Sequence, residues 1–210
     1  MRHEVQDIGT LGTKRWQNEA RGLADITIAT SYQIITQVAS RPSQTVTGYL
    51  RLPSGQKNPS NIKNEFEYEP ALGSGEMSVI AEYQLRQIAY PYVYSVYLSY
   101  QYFAGGRKKL RPLAPSEQSF RSGSNISLGG YFNFHLNEWI ALRNSAQYFF
   151  SNPDTFDGIT EPDPSWTVQY SPGLNFQIRQ FRIAQGVTIP LAGKLSAADP
   201  TYFFLVQVIL

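Results

Sequence analysis

The chain has no cysteine and few charged residues. Without cysteine, disulfide bonds, thiolate metal sites and cysteine nucleophiles are excluded. Charged residues make up 16% of the 210 residues, which is below the roughly 25% of an average soluble domain. No run of apolar residues approaches the roughly 18 that a transmembrane helix requires. The apolar residues must therefore be distributed in another way.

Patterns for catalysis and metal binding are also scarce. His3 and His135 are the two histidines, too few for a histidine-based zinc site. The sequence contains no Gly-x-Ser-x-Gly, P-loop or GxGxxG motif. One acidic segment offers oxygen ligands of the kind that calcium prefers, but its spacing does not match an EF-hand loop; its carboxylates are Asp154, Asp157, Glu161 and Asp163. We predict no enzyme activity, no metal and no cofactor.

Alternation of apolar and polar residues with a period of two predicts nine β-strands. They lie near residues 23–36, 44–53, 75–88, 92–104, 124–136, 139–151, 165–179, 181–192 and 201–210. Most exceed the usual length of about 5–6 residues in globular proteins. They are long enough for a tilted strand that crosses a membrane, which needs roughly 9–11 residues.

The composition of the strands favours a membrane barrel over a soluble sandwich. From residue 165 to 179, apolar and aromatic side chains oppose Thr, Ser, Gly, Asn, Gln and Arg, a polar face typical of a water-filled lumen. The last strand, TYFFLVQVIL at 201–210, is apolar and contains no turn residue. A soluble protein rarely leaves such an edge unprotected, whereas outer-membrane barrels commonly end in a strand of this kind.

The connections alternate between short turns and long loops, as in outer-membrane barrels. The long loops are rich in Gly, Pro and Ser and lie at 54–74, 105–123, 152–164 and 193–200. If these loops lie outside the cell, the nine predicted strands begin outside and end in the periplasm. A closed barrel with an even number of strands then needs an odd number of further strands. We predict an all-β, antiparallel up-and-down transmembrane β-barrel of about 10–12 strands. Residues 22–210 form the barrel domain, and residues 1–21 form an N-terminal segment with at most one weak strand.

Two segments carry a family resemblance. They are Gly22-Leu-Ala-Asp-Ile-Thr-Ile-Ala-Thr-Ser-Tyr32 and Gly48-Tyr-Leu-Arg-Leu-Pro-Ser-Gly55, with a weaker match at Gly73-Ser-Gly-Glu76. In this order and spacing, the chain resembles the outer-membrane family described as "meta-pathway of phenol degradation" proteins. The resemblance implies a barrel channel for small, often aromatic or hydrophobic, compounds. The chain departs from the family pattern at Ala24, where glycine is usual, and at the terminal Leu210.

The phase of the strands places seven charged residues on the polar face. They are Asp25, Arg51, Glu82, Arg86, Arg143, Arg179 and Arg182. Because a charge facing lipid costs about 2–4 kcal/mol at the midplane, we predict that all seven line the pore. A ladder rich in arginine can select anions or orient a carboxylate or phenolate. Alternatively, the charges pair with one another and fill the lumen, since a barrel of about eight strands is only wide enough to be filled by side chains.

Three functions follow from these features. The first is a channel of the bacterial outer membrane for passive uptake of small, aromatic or hydrophobic molecules. The second is a structural barrel subunit with a filled lumen in a larger envelope assembly, which the odd strand number favours. The third is a soluble ligand-binding barrel of the lipocalin type, with apolar residues inside; the polar first residues, which lack the apolar core of a signal peptide, favour it.

The expected partners follow from the same features. They are outer-membrane lipids, a small-molecule solute, and either further copies of this chain or another envelope protein. The single basic cluster, at residues 105–111, has no accompanying aromatic platform. Proteins that bind single-stranded nucleic acid combine positive charge with aromatic side chains on which bases stack. We therefore predict no nucleic-acid partner.

Overall fold

The computed structural model describes residues 2–9, 12–19, 22–39, 41–63, 68–109, 113–178, 180–194 and 199–208. Within these ranges the chain forms β-strands and no helix. The strands are β1 (Arg2–Gly9), β2 (Gly12–Glu19), β3 (Ile26–Ile35), β4 (Ser43–Leu52), β5 (Glu76–Ala89), β6 (Tyr92–Lys108), β7 (Gln118–Arg121), β8 (Asn125–His135), β9 (Ile140–Ser151), β10 (Thr155–Phe156), β11 (Ile159–Thr160), β12 (Ser165–Ile178), β13 (Phe181–Lys194) and β14 (Thr201–Val208).

Nine long strands form one antiparallel, up-and-down sheet. Their order in space is β3-β4-β5-β6-β8-β9-β12-β13-β14, so each strand pairs with its neighbour in the chain apart from short insertions. The predicted fold class is therefore confirmed, and the nine predicted strands are present with ends that differ by a few residues. Three short strands bring the sheet to 12 strands. Among the described residues β3 and β14 do not pair with each other, so the sheet is open there.

The short strands β7, β10 and β11 extend the sheet at its long-loop end. Pairing between β6 and β8 stops at Gln101 and Asn125, and β7 then pairs with the continuation of β6 at Gly106–Lys108. Gly105 has a φ of 81°, a conformation that glycine adopts without the strain other residues incur. A side chain on the adjacent Gly106 would collide with the carbonyl of Gly75. The two glycines thus allow β6 to continue beyond the predicted end at residue 104.

The N-terminal segment contains two strands where the sequence predicted at most one. β1 and β2 pair in register from Arg2 and Glu19 to Gly9 and Gly12 and form a separate two-stranded sheet. Their sequences, RHEVQDIG and GTKRWQNE, are mostly polar, so the alternation that identifies half-buried strands is missing here.

The turns at one end of the sheet are short and held locally. Between β8 and β9, the Asn137 side chain accepts hydrogen bonds from the backbone N–H groups of Trp139 and Ile140, both at 2.8 Å. This is the bond pattern by which asparagine favours turns. The His135 N–H donates to the carbonyl of Pro91 at 2.8 Å and so joins two neighbouring turns. We call this end of the sheet the turn end and the other the loop end.

Candidate functional site

The two faces of the sheet differ sharply in chemistry. One row of laterally paired residues crosses seven strands and carries apolar or aromatic side chains throughout: Tyr32, Val46, Tyr83, Leu98, Leu128, Tyr148 and Val168. Leu98 is 51% exposed. On the same face, the amide oxygen of Asn144 accepts a hydrogen bond from the Tyr170 hydroxyl at 2.5 Å. We call this surface the apolar face.

The adjacent row points to the opposite face and is mostly polar. Its members are Ser31, Thr47, Glu82, Ser99, Ser127, Phe149 and Thr167. Ser95, on the same face, is 1% exposed, and the hydroxyls of Ser31 and Thr47 bond to each other at 2.9 Å. Buried polar and exposed apolar side chains are the reverse of a soluble globular domain. The lipocalin-type prediction of an apolar interior is therefore wrong for the described strands.

A cavity of about 490 Å³ opens on the polar face at the turn end. Strands from β5 to β14 contribute to its lining, so the sheet curves around it. Three arginines project into it from strands that are not neighbours: Arg86 on β5, Arg143 on β9 and Arg182 on β13. We call this space the arginine cavity.

Polar groups in the arginine cavity are incompletely satisfied. The Nε atom of Arg143 is buried and has no hydrogen-bond partner, and neither have the side-chain oxygens of Asn133 and Asn175. The Arg143 guanidinium lies 5.9 Å from the centre of the Tyr131 ring, within reach of a cation–π interaction. Buried polar atoms normally have partners, so this cavity presents hydrogen-bonding capacity that the described protein groups do not use.

A second cavity of about 340 Å³ lies near the middle of the polar face. Glu82, Ser99 and the aromatic rings of Tyr49 and Tyr97 line it. The Gln147 amide donates to the Ser127 hydroxyl at 2.7 Å, which fixes part of its wall. We call this space the central cavity; together, the two cavities show that side chains do not pack the polar face completely.

The seven predicted pore-lining residues fall into three groups. Arg86, Arg143 and Arg182 line the arginine cavity, and Glu82 lines the central cavity. Arg51 pairs laterally with Thr27 and Ser78, which places it on the polar face nearer the loop end. Arg179 lies outside the described residues. Asp25 precedes β3 and is in a loop contact rather than on a strand.

Asp25 ties the ends of the loop between β4 and β5 to the start of β3. Its carboxylate accepts hydrogen bonds from the N–H of Gly55 at 3.1 Å, the N–H of Ser74 at 2.8 Å and the Ser74 hydroxyl at 2.5 Å. Burial opposes ionisation, but these bonds and the charge of Arg51 outweigh it and lower the pKa of Asp25. Asp25 is therefore ionised at neutral pH and stabilises this junction.

Substituting Asp25 with asparagine is expected to remove a pH-dependent part of the stability. Solvent screening limits the loss at neutral pH to about 1 kcal/mol. A lowered folded-state pKa gives stability that is present above the unfolded pKa of about 4 and is lost as the pH falls through the folded pKa. The difference between D25N and the parent should therefore shrink in acid when urea unfolding is followed in detergent.

The matched control for this prediction is Asp199→Asn, since Asp199 is exposed and accepts no hydrogen bond in the described structure. It should unfold like the parent at every pH. A D25N difference that stays constant from neutral pH into acid would contradict the ionic role of Asp25.

The charges on the polar face do not pair with one another in the described part of the chain. The ion pairs there join Lys57 to Glu117 and Lys194 to Asp163, at 2.8 and 2.7 Å, and all four residues lie in or beside the long loops. The alternative of mutually paired charges is thus not what the described residues form. The pore-lining role itself stays a prediction.

Carboxylates of the acidic loop before β12 bond to the segment that connects β6 and β8. Asp154 accepts the N–H of Gly123 at 2.8 Å, and Asp157 accepts the N–H of Ser119 at 2.9 Å. Among the described residues, no three histidine, aspartate or glutamate side chains come together as a metal site would require. In all the residues that the structure describes, no helix is long and apolar enough to span a membrane.

Several residues of the cavities were not singled out from the sequence. They include Asn133, Asn175 and Tyr131 in the arginine cavity and Gln147 in the central cavity. Each occupies a polar-face position of a predicted strand, so the phase of the strand could have identified it as a residue of the polar face. The phase does not tell which polar residues of distant strands meet, because that depends on the curvature of the sheet.

Comparison with known proteins identifies a related fold. No protein-family model matches the chain, and no curated protein matches its sequence. Among solved structures, the chain is similar to an outer membrane channel from Pseudomonas putida F1, with a TM-score of 0.66 and 12% sequence identity. The match covers 94% of this chain and 67% of the channel. At this identity the likeness establishes the fold, and the resemblance to the phenol meta-pathway family remains a prediction.

Proposed function

We propose that the chain forms the wall of a passive channel in the bacterial outer membrane. The observation that carries this proposal is the exposed apolar face backed by a polar face with unfilled cavities. Contact between the apolar face and lipid is favourable, while water and solutes occupy the polar side, as in outer-membrane barrels. The fold shared with an outer membrane channel supports the same function.

Transport is better supported than catalysis. His135 is the sole histidine among the residues that line the two cavities, and no side chain in the described structure forms a hydrogen bond with it. A nucleophile activated by a general base needs such a contact. The solutes we propose are small molecules, and the aromatic walls of both cavities are compatible with aromatic or hydrophobic ones.

A structural role in a larger envelope assembly is the second candidate. The strands β3 and β14 are the edges of the main sheet, and each pairs with one strand only among the described residues. Because unpaired backbone groups are costly in hydrocarbon, these edges favour pairing with further strands. This second hypothesis predicts a barrel subunit whose lumen is filled and conducts no solute.

Conductance in planar lipid bilayers separates the two candidates. Protein recovered from the outer-membrane fraction should give reproducible current steps if it is a channel, and none if it is a plugged structural subunit. Ser99→Trp, which adds a large ring to the central cavity, should reduce the step size. Leu98→Trp is the matched control, since it places the same ring on the apolar face.

Two results would contradict the channel. One is recovery as a freely soluble monomer without detergent. The other is a bilayer in which folded protein, judged by heat-modifiable gel mobility, gives no steps. Equal conductance of S99W and L98W would show that current does not pass along the polar face.

A further inference from the structure

We infer that the arginine cavity is a binding subsite for a small organic anion that carries an apolar body. The inference deepens the proposed channel function and rests on it in one respect, since the solute reaches the cavity along the polar face. It concerns the chemistry of the solute, which neither the fold nor the comparisons specify.

The charge of the cavity favours an anion. Arg86, Arg143 and Arg182 face it, and Glu138 at the β8–β9 turn is its single lining carboxylate. None of the three arginines makes an ion pair in the described structure. Three cations that outnumber a single carboxylate in a partly enclosed site create a positive potential that concentrates anions. A guanidinium also offers several N–H donors in a planar array that matches a carboxylate.

An unused hydrogen-bond donor points to the same ligand. Arg143 is half-buried, and its Nε–H has no acceptor. An ionised acceptor would remove the desolvation cost of this donor and form a charge-assisted bond. Asn133 is the lateral neighbour of Arg143, and Asn175 lies on the next strand of the sheet. Their unpaired atoms are the amide oxygens, which accept hydrogen bonds and therefore match a hydroxyl group or a water molecule beside the anion.

The remaining walls suit an apolar body. Val93, Ala141, Ala184 and Leu205 line the cavity together with the ring of Tyr131. A site with apolar walls and a few convergent polar groups is typical of small-molecule binding, and its volume of about 490 Å³ lies within the usual range of roughly 300–1,000 Å³. An aromatic or short aliphatic carboxylate has both the anionic group and the apolar body that this cavity suits.

Isothermal titration calorimetry of the full chain in detergent tests the inference with benzoate as probe. Benzamide serves as its neutral counterpart of nearly the same shape. We expect benzoate to bind and benzamide to bind at least about tenfold more weakly, as loss of a charge-assisted contact implies. Equal binding of the two, or no binding of benzoate, would overturn the inference.

Variants localise the binding. Arg182→Gln and Arg86→Gln change exposed side chains and should each weaken benzoate binding about tenfold. Arg143→Lys keeps the charge but loses the planar donor array, and it should bind benzoate more weakly than the parent. Arg41→Gln removes a cation from the β3–β4 turn outside the cavity and should bind like the parent. Equal weakening by R41Q and R182Q would show that only overall charge matters.

Failure of this inference is distinguishable from failure of the channel function. Calorimetry needs no current, so benzoate binding without conductance would leave the subsite intact and reject the channel. Conductance without benzoate binding would leave the channel intact and reject the subsite. In a conducting protein, R182Q should also reduce the preference for chloride over potassium in the reversal potential, whereas R41Q should not.

Discussion

Replacing Leu98 with arginine is expected to destabilise the membrane-embedded protein by about 2–4 kcal/mol, the cost of a charge facing lipid near the midplane. Leu98 lies in the middle of the apolar face, with Leu128 and Tyr83 as lateral neighbours on the adjoining strands. Neither lateral neighbour carries a carboxylate with which the guanidinium could pair. Urea unfolding in lipid vesicles, followed by heat-modifiable gel mobility, measures the loss.

The adjacent residue supplies the control. Ser99→Arg introduces the same side chain one position along β6, but on the polar face beside Glu82. It should cost much less than L98R, because the guanidinium reaches water and a carboxylate. The opposite ranking would mean that the polar face contacts lipid, and the proposed orientation of the sheet would then be wrong.

Replacing Glu76 with alanine is expected to destabilise the loop end of the sheet by about 2–4 kcal/mol. Glu76 begins β5 and is 2% exposed. Its carboxylate accepts the N–H of Ser122 at 3.1 Å and a second hydrogen bond from the Ser122 hydroxyl. Truncation leaves two donors unsatisfied and a space where the carboxylate was. The midpoint of urea unfolding in detergent measures the change.

Glu117→Ala is the matched control for E76A. Glu117 also bonds to two partners, the Lys57 ammonium at 2.8 Å and the Asn58 amide at 2.7 Å, but its side chain is 32% exposed. Solvent-exposed ion pairs contribute little to stability, so E117A should unfold close to the parent. If E117A lost as much stability as E76A, burial would not be the source of the effect.

The wall strands were predictable because each has one face in a polar and one in an apolar environment. Adjacent residues of one strand belong to different rows: the apolar row contains Tyr32 and Val168, and the polar row contains Ser31 and Thr167. Apolar and polar residues therefore alternate along each strand with a period of two. The short strands β7, β10 and β11 gave no such signal, since two to four residues are too few to show a period. Their pairing comes from the extension of β6 past Gly105.

The candidate site was predictable only in part. Strand phase correctly placed Arg86, Arg143 and Arg182 on the polar face, but it did not show that they share one cavity. Asp25 could not be placed from strand phase, because it lies one residue before β3 and accepts hydrogen bonds from backbone N–H groups of a loop. Such contacts join residues about 30 and 49 positions apart, and no local pattern reports them.

The junction at Asp25 makes the loop between β4 and β5 a replaceable module. Its ends are joined by backbone bonds from Leu72 and Gly73 to the carbonyl of Gln56, and a second closure pairs Ser60 with Glu69. Because both ends are joined by these bonds, extra residues inserted after Asn61 add mainly a loop-closure entropy, which grows slowly with length. The register of β4 and β5 does not depend on that length. A peptide tag or epitope inserted there would leave the strands of the main sheet unchanged.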